Sequence, residues 1–214
     1  VDDAEAIPKH TGPDWRELVA VVLLSVTAVV TAWTGFQASK WGGAMSISFS
    51  QASTARIEAA RLEGVANRKL TIQVSLFTQW LQAYQAADHE LTTFLASRFP
   101  EPLASTFPAW LKTSPQKNPD APATPFEMPG YVIPELTAAH QSDGRADAKF
   151  AEALRNNQRG DNYTVLTVAF ATVLFFGALS GRMRAVRAQW TFLALGCIGF
   201  VSAASLLIFY PKLI

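Results

Sequence analysis

Soft metal ligands are scarce in this chain: 214 residues hold one cysteine, Cys197, and three histidines, His10, His89 and His140. One cysteine excludes an intrachain disulfide and any cysteine-built metal site. The histidines are widely separated. His89 stands in Asp88-His89-Glu90, whose side chains would point about 100° apart on a helix and cannot converge on one ion. Charge of either sign is also modest. With 18 basic and 17 acidic residues the net charge is +1, too little to draw the chain to nucleic acid or to acidic substrates. No glycine-rich phosphate loop and no dinucleotide fingerprint is present. Ser114-Pro115-Gln116-Lys117 matches a Ser-x-x-Lys pattern, but it stands in a proline-rich stretch without companion motifs and reads as chance. The residues therefore point to no catalytic group, no cofactor, no metal and no small-molecule substrate.

What the chain does have is apolar sequence, half of it by composition, gathered into three runs. Residues 14–36, 161–180 and 189–210 read as transmembrane helices 1 to 3, each free of charge in its middle. The first is too long for a signal-peptide core and ends in Ala32-Trp33-Thr34-Gly35-Phe36, where the bulky residues suit an interface better than a cleavage site. Thr11 or Gly12, Pro13, Asp14 and Glu17 mark its start. Trp15 and Trp33 stand about 27 Å apart along a helix, close to the hydrocarbon thickness of a bilayer. Residues 181–188 carry Arg182, Arg184 and Arg187 and no acid, so this short loop is expected on the cytoplasmic side of a bacterial inner membrane. Parity then puts the tail 1–13 inside, residues 37–160 outside and residues 211–214 outside. The opening Val1, in place of methionine, suggests trimming or a partial chain.

The long insertion is expected to be helical from about Ala44 to Arg98, where alanine, glutamine, leucine and arginine dominate without a proline. Leu70, Val74, Phe77, Leu81, Tyr84, Asp88, Leu91 and Leu95 form a seam interrupted by Asp88. Upstream the same period carries Ala52, Ala55, Ala59, Leu62 and Ala66. A return helix from about Pro134 to Gly160, with Phe150 and Leu154 its clearest apolar positions, would close a hairpin, with bends expected at Gly42-Gly43 and Gly160. Nine of the 12 prolines fall between Pro100 and Pro134. That density predicts an irregular cap over residues 99–134, and its aromatics, among them Trp110 and Phe126, are candidates for docking a partner. The fold class is thus an all-α membrane protein: three transmembrane helices, an extended helical hairpin and a proline-rich irregular cap outside the membrane.

Small residues recur in register within the spans: Ser25, Ala28, Ala32 and Gly35 in the first, Thr164, Thr167, Ala171, Ala178 and Gly181 in the second, Gly196, Gly199 and Ala203 in the third. Such stripes let helices approach closely. Gly196, Gly199 and Ala203 are the chosen contact face for another subunit.

The runs Ala32-Trp33-Thr34-Gly35-Phe36-Gln37-Ala38-Ser39-Lys40-Trp41-Gly42-Gly43, Leu76-Phe77-Thr78-Gln79-Trp80 and Asn157-Gln158-Arg159-Gly160-Asp161-Asn162-Tyr163 resemble a group of uncharacterised bacterial inner-membrane proteins. The resemblance implies the same layout, one span, a long helical insertion and a closing pair, and no activity. The expected function is that of a non-catalytic accessory or scaffold subunit of a larger membrane complex, respiratory or photosynthetic, with membrane lipids and other integral subunits as partners. A homo-oligomeric channel or mechanosensory module, and a metal-binding or enzymatic external domain, are the alternatives.

Overall fold

The computed structural model describes residues 15–213. The tail with His10, Thr11, Gly12, Pro13 and Asp14 lies outside the described residues. The elements in order are α1 (Trp15–Gln85), α2 (His89–Ser97), α3 (Leu103–Lys112), a short 3-10 turn (Pro125–Glu127), α4 (Pro134–Arg182) and α5 (Val186–Phe209), with no strand among the described residues. Three of these, α1, α4 and α5, are long and apolar enough to cross a membrane. Two compact units divide the chain, one holding the residues up to Phe49 and from Phe150 onward, the other Ser50–Lys149.

In the first unit α1 and α4 run antiparallel. Gly160 lies on the Ala38 carbonyl and the Trp41 side chain, and Gly177 lies on Leu24. Thr167 donates from Oγ1 to Thr34 Oγ1 at 2.9 Å. The buried line of α1 is Thr27, Thr34, Gln37 and Trp41. Polar residues serve here because Thr27 returns its hydroxyl to the Leu23 carbonyl at 2.6 Å, which leaves a methyl to face the neighbour. Tyr163, Leu166 and Phe170 of α4 and Ala203 of α5 complete this core with Trp41. Gln37, fully buried, clamps the chain beyond α5: its Nε2 donates to the Leu213 carbonyl at 3.1 Å and its Oε1 accepts from the Leu213 N–H at 3.0 Å. Tyr163 donates its hydroxyl to the Pro211 carbonyl at 3.1 Å. The outer surface stays apolar, with Val29, Val165, Ile198 and Ile208 all more than 60% exposed. Only 11%, 28% and 17% of the most apolar 18-residue stretch of α1, α4 and α5 is buried within the protein. A helix that is apolar all round needs a protein interior or a bilayer around it, and here protein covers little of it.

The turn between α4 and α5 comprises only residues 183–185, shorter than the expected loop over 181–188. Arg182 is the last residue of α4, where its charge faces the negative end of the helix dipole, and Arg187 falls in the first turn of α5. Ser180 donates to the Gln189 carbonyl at 3.0 Å and Gln189 Nε2 to the Met183 carbonyl at 2.7 Å. The second bond satisfies a carbonyl just past the end of α4, where carbonyls lack helical partners, and the first ties the two helices across the turn.

In the second unit α1 and α4 form a hairpin with a seam of small side chains. Ala52, Ala59, Ala66, Gln73 and Trp80 are buried at intervals of seven on α1, as are Ala139 and Ala146 on α4, with Ser142 between them. A strict seven-residue repeat keeps the seam facing its partner when helices supercoil left-handedly. Alanine admits close approach, which is why the bulkier Leu70 and Leu62 stand aside, half-buried. Phe150 and Leu154, expected to lead the return helix, are 45% and 51% exposed, while Ala153 is fully buried. Ion pairs flank the hairpin: Arg56 with Asp143 at 3.3 Å and Asp147 at 2.7 Å, Arg145 with Glu58 at 3.3 Å, and Lys69 with Glu135. At this exposure each adds little stability, but together they match an antiparallel register. The Lys69 ammonium, bonded to Glu135, holds that carboxyl below its ordinary range.

The helical backbone continues through Gly42-Gly43 and through Gly160. Two expectations are corrected here. Helix does not run unbroken to Arg98: α1 ends at Gln85, Ala87 takes a left-handed φ of 56°, and α2 begins at His89. Asp88 is accordingly no seam residue. It caps α2, its side chain accepting from the Leu91 N–H at 2.9 Å, so Leu91 and Tyr84 are released to the surface. Asp88→Leu, neutral or favourable in a seam, should instead cost about 1 kcal/mol, as lost N-caps do. A urea-unfolding series of Asp88→Leu against Asp88→Asn checks this, the asparagine retaining the cap. Finally, residues 99–134 are not uniformly irregular. Leu103, Thr106, Phe107 and Trp110 repeat as one helical face and are all buried, and α3 forms around them with Pro108 inside it. Burial of that face outweighs the loss of one backbone bond at the proline.

Candidate functional site

The head of the second unit is built on the last three turns of α1. Phe77, Trp80 and Tyr84 follow one helical face and stack, Phe77 on Trp80 at 5.9 Å between ring centres and Trp80 on Tyr84 at 5.2 Å. Rings from α3 meet them edge-on: Phe107 reaches Trp80 at 4.8 Å, and Trp110 reaches Phe77 at 5.4 Å. Phe126 stands edge-on to Phe77 at 5.6 Å, and Tyr131 to Phe126 at 5.1 Å. Such geometries set the positive edge of one ring against the negative face of another. Gln73 ties the surrounding chain to α1, donating to the Glu101 carbonyl at 3.0 Å and accepting from the Tyr131 hydroxyl at 2.9 Å. Burial raises the Tyr131 phenol above its ordinary range.

The two aromatics expected to dock a partner are therefore placed differently from each other and from that expectation. Trp110 is 5% exposed. Its indole N–H donates to the Pro122 carbonyl at 2.8 Å, so it holds the following loop in place rather than offering itself to solvent. Phe126 is partly buried against the same core. Beside them an open cavity of about 390 Å³ is walled by Phe77, Trp80, Tyr84 and Trp110 and edged by Ser114 and Lys117. Tyr84 and Leu111, 45% and 43% exposed, form its apolar lip. Tyr84 and Leu111 are the surface that sequence reasoning missed. Tyr84, expected in the seam, is exposed one residue before α1 ends at Gln85.

The third-span stripe also turns out differently. A Cβ on Gly196 would stand 3.4 Å from a Leu23 methyl and 3.8 Å from two backbone atoms of α4, and one on Gly199 would stand 3.2 Å from Val173. Ala203 is 4% exposed, within the core. Gly196, Gly199 and Ala203 thus join α5 to α1 and α4 inside the chain, where the close fit uses up their small size. Small residues on the outer surface include Ser25, Ala28 and Ala32 on α1, Thr164, Ala171 and Ala178 on α4, and Ala194, Ser202 and Ser205 on α5.

His89 opens α2 and His140 is exposed on α4; His10 lies outside the described residues. Among the described residues no three His, Cys, Asp or Glu side chains gather closely enough to hold a metal ion. No protein-family model matches the chain, and comparison with curated proteins and with solved structures likewise gives no match.

Proposed function

We propose that this protein is a non-catalytic scaffold subunit of a larger membrane assembly, embedded through α1, α4 and α5 beside other integral subunits and docking a further partner through its aromatic head. The observation that carries this reading is the uncovered apolar surface of the three long helices, which on α1 and α4 is lined with small residues suited to close helix contact. The open aromatic cavity of the head supports the docking half. In this reading the membrane is a bacterial inner membrane, possession of Arg182, Arg184 and Arg187 keeps the α4–α5 turn cytoplasmic, and residues 37–160 are periplasmic. A respiratory or photosynthetic complex is the kind of assembly that uses such subunits.

Extraction from native membranes in the mildest detergent tests the assembly directly. The wild-type chain should migrate on a native gel with other integral proteins, and Ala28→Leu, which alters an outward position, should release it while leaving its own fold intact. Migration of the wild-type chain as a lone monomer would overturn the proposal, and a ladder of its own multiples would favour a homo-oligomeric channel. Alkaline phosphatase fused after Lys117 should be active, and after Arg184 inactive; the reverse pattern would invert the orientation.

A further inference from the structure

At the end of the first unit where α4 turns into α5, a cavity of about 470 Å³ opens between the three helices. Ala20, Leu24, Ala178 and Leu193 give it apolar walls, and Arg16 and Gln189 stand among its polar lining. Ser180 spends its hydroxyl, and Gln189 one amide N–H, on the turn. Arg16 and Glu17 are the charged residues of the lining, and the arginines of the adjoining turn add positive charge beside it. Arg182 directly follows Gly181 and Arg187 precedes Gln189 by two positions, both of these being lining residues, so the two arginines adjoin the cavity along the chain. Arg182, Arg184 and Arg187 are all exposed, and among the described residues none of the three meets a carboxylate within ion-pair distance. Glu17 is the one acid in the lining. Trp15 and Trp190 stand at the same end with ring centres 6.4 Å apart, and tryptophan pairs of this kind mark headgroup depth in a bilayer. Val21, in the lining, is 56% exposed, so the lip is apolar too.

We infer that this cavity binds one anionic phospholipid, its phosphate held by the guanidinium groups and the start of an acyl chain lying along the apolar wall. Guanidinium groups pair with phosphate through two parallel N–H donors, and basic recesses between membrane helices hold anionic headgroups in this manner. A zwitterionic lipid would bring an ammonium group beside these arginines, with Glu17 the one acid in the lining to receive it. A free phosphate would leave the apolar walls wet. The inference rests on the membrane-embedded reading above.

Native mass spectrometry of the full chain, released from detergent with added dioleoylphosphatidylglycerol or dioleoylphosphatidylcholine, tests it. One molecule of the anionic lipid should be retained about tenfold or more tightly than the zwitterionic one. The triple variant Arg182→Gln, Arg184→Gln, Arg187→Gln should lose that preference, and Ala178→Phe, which fills the cavity from an exposed position, should lower occupancy by both lipids. Millimolar inorganic phosphate should leave the bound lipid in place. Equal retention of the two lipids, an undiminished preference in the triple variant, or displacement by phosphate alone would each overturn the inference. Size-exclusion profiles matching wild type certify that the variants fold. A chain that enters phosphatidylcholine nanodiscs yet shows no lipid preference refutes only this site, whereas a chain that stays in water without detergent refutes the membrane reading itself.

Discussion

Trp80→Ala should destabilise the head by about 3–5 kcal/mol, the range for removing a large buried aromatic. Trp80 is 4% exposed and touches Phe77, Tyr84, Phe107 and Trp110 with its ring. Its removal opens a void at the one place where α1 and α3 share rings. Neighbouring rings cannot collapse into it readily, because Trp110 is fixed by its bond to Pro122 and Phe107 sits within α3. A domain is stable by only about 5–15 kcal/mol in total, so the loss should shift the urea midpoint far. Pulse proteolysis of the detergent-solubilised chain across a urea series measures it. Tyr84→Ala, at an exposed position of the same stack, is the internal control and should cost about 1 kcal/mol or less. Equal midpoints for Trp80→Ala and Tyr84→Ala would mean the cluster does not pack as described.

Gly196→Leu should prise α5 from α1 and α4. Its Cβ alone would rest in contact with Leu23 and near the Gly177 nitrogen and Val173 carbonyl; three further carbons would have to enter space held by backbone. Overpacking of this kind typically costs about 1–3 kcal/mol, and more where the neighbour cannot yield. Between apolar helices in lipid, van der Waals fit is the main force holding them, so little else would keep α5 seated. Cys197, partly buried on the adjoining residue, reports the event: its labelling by a membrane-permeant maleimide should quicken several-fold. Ile198→Leu, altering a side chain 65% exposed, should leave labelling unchanged. An unaltered rate in Gly196→Leu would place α5 elsewhere.

The three apolar helices were legible from the sequence because hydropathy accumulates over some 20 residues and needs no knowledge of neighbours. The packing direction of small residues was not. Gly196 and Ala28 both permit close approach, and only the neighbouring helices decide that one is filled by Leu23 and the other left outside. Gln37 was equally opaque: it reads as polar, yet its amide is consumed by the backbone of Leu213, 176 positions away. The seam was half legible. Its alanines stand in the right register, but Gln73 and Trp80 carry the buried line onward in place of Val74 and Leu81, and Asp88, a residue that favours caps over helix interiors, is the local signal that the helix ends before it. In the cap, proline density points to irregular chain, but burial of Leu103, Thr106, Phe107 and Trp110 on one face is the stronger term. The head cavity follows from those same two revisions, which is why its lip at Tyr84 and Leu111 could not be read in advance.

The aromatic head has a further consequence, an optical one. Phe77, Trp80, Phe107, Trp110, Phe126 and Tyr131 are held at fixed mutual angles, several near 80° or more. Chromophores locked in an asymmetric array give near-ultraviolet circular dichroism that vanishes once specific packing is lost, even where helix content persists. The unit thus carries its own dye-free marker of native packing, one that can be followed in detergent, in vesicles or during titration with a partner.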